Sequence, residues 1–160
     1  MYIGEQTKKY RMTEKDGSVY DPIRRKYVNK TPEEEVRQRV IKFLIREIKV
    51  PKNKLIVERG LNTLGVKKSR KRIDIGILDA DDQLMAVIEC KDALLYQATV
   101  YEQAQDYISK LGVGRFFVAD GNHLEGYYWN GMQFVLIEDA IPEYKDWKAL
   151  LPVGRLLGKE

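Results

Sequence analysis

The stretch RIDIGIL-DADDQ-LMAVIECK, residues 72–91, is two apolar runs joined by five polar residues. In the first run Ile73, Ile75 and Ile77 alternate onto one face, with Asp74 and Gly76 on the other, the period of a strand. The Asp-rich joint is turn chemistry, so the two runs predict an antiparallel hairpin. The second run does not close on turn residues. It ends in Glu89, Cys90 and Lys91. Residues two apart share a face, so Glu89 and Lys91 point the same way as Val87 and Met85. An acid and a base thus stand together at the end of a strand that reads as buried, with Asp74 across the hairpin.

Working outward, TPEEEVRQRVIKFLIREIKV (31–50) predicts a helix. Thr31 suits the N-cap, Pro32 the first helical position and Glu34 the capping-box position. Val36, Val40, Phe43 and Leu44 recur at helical spacing, with Ile41 and Ile48 at the edge of the stripe, and Pro51 is a stop signal. KLIVERG (54–60) reads as a strand and LNTLGVKKSRK (61–71) as a loop. LYQATVYEQAQDYISKLG (95–112) predicts a second helix closed by Gly112. GRFFVAD (114–120) is a further strand. HLEGYYWNGMQFVLI (123–137) is a hairpin whose Asn130-Gly131 matches a two-residue I′ turn. The order helix, three strands, helix, strands predicts an α/β (α+β) fold, a mixed sheet flanked by helices. Residues 1–30 are polar and aperiodic and read as a loosely ordered arm, on which VYDPIRRKYV (19–28) is able to pack. Residues 31–140 form the domain, and 141–160 a C-terminal helical tail.

The 160 residues are enough for one domain with a real core. Apolar residues at 44% and charged residues at 32% fit a soluble globular chain, and the net charge of +4 leans mildly toward an anionic partner. One cysteine, Cys90, allows no internal disulfide, and with a single histidine, His123, a His/Cys zinc site is excluded by count. No apolar run approaches a membrane helix, and the N-terminus lacks a signal-peptide core, so a cytoplasmic protein without membrane contact is expected.

Two carboxylates and a lysine at one sheet edge are the components of a Mg²⁺ site, with Mn²⁺ as a substitute. Mg²⁺ takes one or two carboxylates plus waters and substrate phosphate, lowers the pKa of a bound water and steadies charge on a phosphodiester. Lys91 then orients or deprotonates that water. The plainer reading of Glu-x-Lys is an exposed ion pair, worth under about 1 kcal/mol. Asp74, fourteen intervening residues and then Glu-x-Lys across a hairpin is more specific than either part.

Asp74 with Glu89-Cys90-Lys91, in this order of elements, resembles the PD-(D/E)xK nuclease superfamily, with Ile73 where that name has Pro. TPEEEVRQ (31–38), RIDIGIL to AVIECK (72–91) and Gln103-x-x-x-Tyr107 are similar to the N-terminal nuclease domain of type I restriction enzyme R subunits, and VADG (118–121) looks like a looser variant of a further family motif. The resemblance implies a restriction-endonuclease-like core and a metal-dependent endonuclease acting on DNA. It assigns Asp74, Glu89 and the Cys90 carbonyl to the metal and Lys91 to catalysis. Gln103 and Tyr107, one helical turn apart, would position the lysine, the metal site or DNA. By spacing alone Tyr107 belongs to the apolar stripe of Val100, Ala104 and Leu111. The family also draws an acid from the first helix. Glu34 best matches its Pro-Glu-Glu pattern, Glu33 lies closer to the apolar face and Glu35 points outward; all three also suit the helix dipole. Glu58, ending the first strand, is a candidate for a further site-facing carboxylate, with a strand-end charge as the plainer reading.

KKSRKR (67–72) holds Lys67, Lys68, Arg70, Lys71 and Arg72, a basic run placed for sequence-independent phosphate contacts or, as readily, a solvated charge run. Arg24, Arg25 and Lys26 form a weaker cluster. Tyr127, Tyr128 and Trp129 are more readily sheet packing than base-stacking platforms. GLNTLGVKK (60–68) is a poor P-loop, its lysine one place late and followed by no Ser or Thr. The expected partners are DNA and, by family, other restriction-modification subunits or a fused motor or methyltransferase. The alternatives are a nucleic-acid-binding or assembly module that keeps the fold without cutting, and an interaction domain whose charges are structural.

Overall fold

The computed structural model describes residues 3–91, 102, 106, 109–138 and 140–147. Its centre is a six-stranded sheet whose neighbours follow chain order: β4 (Leu55–Gly60), β5 (Arg72–Leu78), β6 (Leu84–Cys90), β7 (Arg115–Ala119), β8 (Leu124–Trp129) and β9 (Phe134–Leu136). All pairs are antiparallel except β6 with β7, which is parallel. A parallel neighbour needs a crossover. The described residues inside it, Glu102, Asp106 and Ser109 to Leu111, are helical, and Gly112 follows at φ 69. The remainder of the predicted second helix lies outside the described residues.

The predicted hairpin is β5 with β6. Ile75 faces Ile88, Gly76 faces Val87 and Ile77 faces Ala86, with a register shift before Leu78 and Leu84. Both strands are buried on both faces. Val36, Val40, Phe43 and Leu44 of the helix α2 (Pro32–Arg46) pack with Ile75, Ile77, Ala86, Ile88 and Phe117. Val87, Phe116, Val118 and Tyr127 go to a second cluster. Ile73 departs from its predicted face and joins that second cluster. Pairing of β5 to β6 stops at Ile75–Ile88, whereas pairing of β5 to β4 runs on to Arg72–Gly60. The end of β5 therefore follows β4 away from β6. Gly76 is needed where it stands, since a Cβ there would lie 2.7 Å from Ile56 Cγ1.

Helix α2 starts as predicted, the Thr31 hydroxyl accepting from the Glu34 N–H at 3.1 Å. It stops at Arg46, ahead of Pro51. Lys49 turns left-handed (φ 63) and the Val50 N–H reaches back to the Leu44 carbonyl, so the chain is already diverted before the proline acts. The Asn130-Gly131 turn also differs. Trp129 faces Phe134 across a four-residue loop, and only Gly131 is left-handed. The Asn130 side chain accepts from the Met132 and Gln133 N–H groups and closes the wider loop itself.

Residues 4–29 carry more structure than a loose arm. A short helix, α1 (Gly4–Lys8), precedes a three-stranded antiparallel sheet of β1 (Glu14–Lys15), β2 (Ser18–Asp21) and β3 (Lys26–Asn29). Ile3 is buried in the α2 core, its N–H bonded to the Asn122 carbonyl. The polar sequence hid this because only alternate residues, Val19 and Asp21, are buried. Of residues 141–160, those described hold a single 3₁₀ turn, Tyr144–Asp146; 148–160 lie outside the described residues. No helix among the described residues is long and apolar enough to cross a membrane.

Candidate active site

Where β5 parts from β6, a side chain fills the gap. The Cys90 N–H donates to Asp74 Oδ2 at 2.7 Å. Just beyond the Ile75–Ile88 pair, the Asp74 and Glu89 carboxyls come within hydrogen-bond reach of each other, the two residues 8% and 7% exposed. Two carboxyls this close in a dry site resist double ionisation. Burial first, then the Asp74 charge and a hydrogen bond to Asp74, push the Glu89 carboxyl up to about 9, opposed by Lys91. Glu89 Oε1 is buried with no hydrogen-bond partner among the described residues.

Lys91 follows directly. Its N–H bonds to the Ala119 carbonyl at 2.8 Å, which locks the exit of β6 against β7. Its charge reaches both Glu89 and Glu33. The Cys90 side chain faces the α2 core and is fully buried, and burial pushes its thiol well up. Its contribution here comes through the backbone.

Helix α2 brings three further groups. Arg37 lies among apolar neighbours on the buried face and donates from Nη1 to Glu34 Oε1 (2.8 Å), and from Nη2 to Asp74 Oδ1 (3.2 Å) and to Glu58 Oε1. Glu58 sits at φ 53, a left-handed residue within β4. It is tied to the cluster rather than being a solvated strand-end charge. Glu34, the acid favoured by the helix pattern, is consumed structurally. Oε1 accepts from Arg24 and Arg37, and Oε2 from Gln38. The helix acid that shares its surroundings with Asp74, Glu58 and Lys91 is Glu33. Burial and then Asp74 raise its carboxyl, against Arg37 and Lys91. The reason is helical geometry. One residue is about 100° of turn, which sends Glu34 toward the N-terminal sheet and Glu33 toward the strand ends.

Gln103 and Tyr107 lie outside the described residues. Lys67, Lys68, Arg70 and Lys71 are exposed on the β4–β5 loop, and Arg72 is exposed at the start of β5. Arg70, Lys71 and Arg72, with Arg59, Asn62 and Ser69, line a cleft of about 530 Å³ that has Glu58 at its wall. A cleft of about 590 Å³ lies at the other end of β5 and β6 and contains none of the acids above. Asp120, at the end of the VADG segment, caps its own turn by accepting from the Asn122 and His123 N–H groups. Tyr127 is core, while Tyr128 is exposed.

Among the described residues no three His, Cys, Asp or Glu side chains are grouped as a metal cage. Mg²⁺ does not require one, since it is commonly held by one or two carboxylates with waters and phosphate. An unpartnered Glu89 oxygen and a carboxyl held far above its usual range fit a divalent cation at Asp74 and Glu89. Sequence reasoning gave Arg37 no role at the site and read Arg24 only as part of a weak basic cluster. The signal for Arg37 was present, as a cation between Val36 and Val40 on the apolar face; nothing in the sequence paired Arg24 with Glu34.

A family described as type I restriction enzyme R protein N terminus matches residues 32–142 of the chain. No curated protein matches it.

Proposed function

Because the chain belongs to the family of type I restriction enzyme R protein N-terminal domains, we propose that it is a metal-dependent endonuclease domain hydrolysing DNA phosphodiester bonds. One observation carries this reading: Asp74 and Glu89 are crowded at a parted strand end beside Lys91, with a buried Glu89 oxygen left unpartnered among the described residues. Asp74, Glu89 and the Cys90 carbonyl would hold Mg²⁺ or Mn²⁺, and Glu33 rather than Glu34 would add a contact through water. When bound, the ion supplies charge to the phosphate and acidity to water. Lys91 orients the attacking water and takes up its proton or offsets charge on the phosphate. Arg37 holds Asp74 Oδ1. The basic β4–β5 loop grips backbone phosphates on the flank of the site. DNA is the substrate, and other restriction-modification subunits are the partners that the family implies.

The test is cleavage of plasmid and linear DNA with Mg²⁺ or Mn²⁺, beside EDTA and a Lys91→Ala protein. Metal-dependent cutting that falls by about 10²–10⁴-fold in Lys91→Ala is expected. One feature favours a second reading, a domain that binds DNA without cutting: the Arg37 guanidinium already neutralises Asp74 and Glu58. Salt-sensitive DNA binding by a folded protein that never cuts would select it.

A further inference from the structure

A chain of alternating charges runs from the N-terminal sheet to the acid cluster. Asp21, fully buried at the end of β2, is fixed by the N–H groups of Ile23 (2.7 Å) and Arg24 (2.9 Å). Its Oδ2 accepts from Arg24 Nε at 2.6 Å, and Arg24 Nη2 donates to Glu34 Oε1 at 2.5 Å. The same oxygen accepts from Arg37 Nη1 at 2.8 Å, and Arg37 Nη2 reaches Asp74 Oδ1 at 3.2 Å. Asp21, Glu34, Arg37 and Asp74 are all buried.

Two details make this more than a row of contacts. Arg37 Nε is buried without a partner among the described residues. Among the described residues the guanidinium is therefore steered at its two terminal nitrogens, by Glu34 on one side and by Asp74 and Glu58, with Glu33 further off at 3.9 Å, on the other. A guanidinium is a rigid planar fork, so a shift of Glu34 turns the nitrogen that faces Asp74. Second, Asp21 and Arg24 precede the family-matched segment, which begins at residue 32.

We propose that Arg24 and Arg37 are positioning residues: through Asp21–Arg24–Glu34–Arg37 the N-terminal sheet sets the orientation of the Asp74 carboxylate and so the affinity of the site for a divalent cation. The proposal rests on Asp74 being a metal ligand. Partners that orient a ligand from one step away typically change metal affinity by about 10-fold or more. Arg37→Lys, which keeps charge but loses the fork, is expected to do so, and Arg24→Met, one step further out, to weaken binding several-fold.

Two readouts on the full chain test it: titration with Mn²⁺ by calorimetry, and the Nε–Hε NMR signal of Arg37. Arg24→Met should move the Arg37 signal and weaken Mn²⁺ binding, whereas Lys26→Met, exposed in the same small sheet, should do neither. Arg24→Lys, which cannot span Asp21 and Glu34 together, replaces Arg24→Met if that variant fails to fold. Loss of Mn²⁺ binding in Asp74→Asn, with the Arg37 signal and Mn²⁺ affinity unchanged by Arg24 substitution, would overturn the relay and leave the metal site standing. Mn²⁺ binding untouched by Asp74→Asn would overturn both.

Discussion

The two ends of the β5–β6 hairpin carry the same residue type to opposite effect. At the turn end, Asp79 accepts from the N–H groups of Asp81 and Gln83, and Asp82 pairs with Lys54 at 2.7 Å while its side chain remains 70% exposed. These acids shape a turn in water. At the open end, Asp74 bridges to the Cys90 N–H, shares Arg37 with Glu34 and Glu58, and crowds Glu89. Only burial separates the two cases. In water an aspartate settles with solvent and its own turn. In a dry site every charge must be answered by a named neighbour, and one that is not answered becomes a binding opportunity.

The contrast breaks most directly at Arg37. Arg37→Met strands Asp74, Glu34 and Glu58 around an apolar side chain, and loss of one partner of a buried charge network costs about 3–5 kcal/mol. Urea unfolding of the metal-free protein should show this as a large fall in midpoint. A fall no larger than that of a surface substitution would mean that the open end is as wet as the turn.

A smaller effect sharpens the comparison through pH. The Glu89 carboxyl is raised from its ordinary 4.5 to about 9, chiefly by burial and then by Asp74. A carboxyl raised on folding contributes stability in full below its unfolded value and loses it as pH rises through the folded one. The metal-free protein should therefore lose stability between about pH 4.5 and 9. Glu89→Gln, neutral throughout, should flatten that slope in urea titrations run across the range. A single carboxyl that is protonated in the folded chain and ionised in the unfolded one changes stability by about 1.4 kcal/mol for each pH step of one. A slope left unchanged by Glu89→Gln would remove Glu89 as its source.

The smallest effect belongs to the turn. Asp82→Asn, which keeps a side chain that tolerates the left-handed φ of 60 at this position, should leave the urea midpoint within error of the parent, with the same result at low and high salt, because an exposed pair is screened and hydrated. A clear destabilisation would make the turn end an electrostatic element in its own right.

Much of this was legible in the sequence, for physical reasons that differ by element. The β5–β6 hairpin, the Thr31 cap and the stripe of α2 are local patterns, set by periodicity of two or 3.6 and by capping chemistry, and the chain specified them directly. The sequence brought Asp74 and Glu89-Cys90-Lys91 to the same end of a hairpin, but the register there was set by the shift between Ile77 and Leu78, which moves the partner of Ile75 to Ile88 from the Val87 that the Leu78–Leu84 pair alone would give. Ile73 and the Asn130 loop were misread for a shared reason: strand ends answer to neighbouring strands and to side chains that cap the loop. The arm at residues 4–29 was misread because its few buried residues, Ile3, Val19 and Asp21, find partners far away in sequence or in a small sheet of its own.

The sequence by itself determined the order of elements and put two acids and a lysine at one end of a hairpin. Only the tertiary structure decided which charges meet. Glu33 and Glu34 are adjacent and chemically identical, yet one helical step turns Glu34 into the buried link between Arg24 and Arg37 and leaves Glu33 beside Asp74 and Lys91. That choice depends on the azimuth of α2 against the sheet and on where β5 parts from β6, quantities that no local pattern encodes.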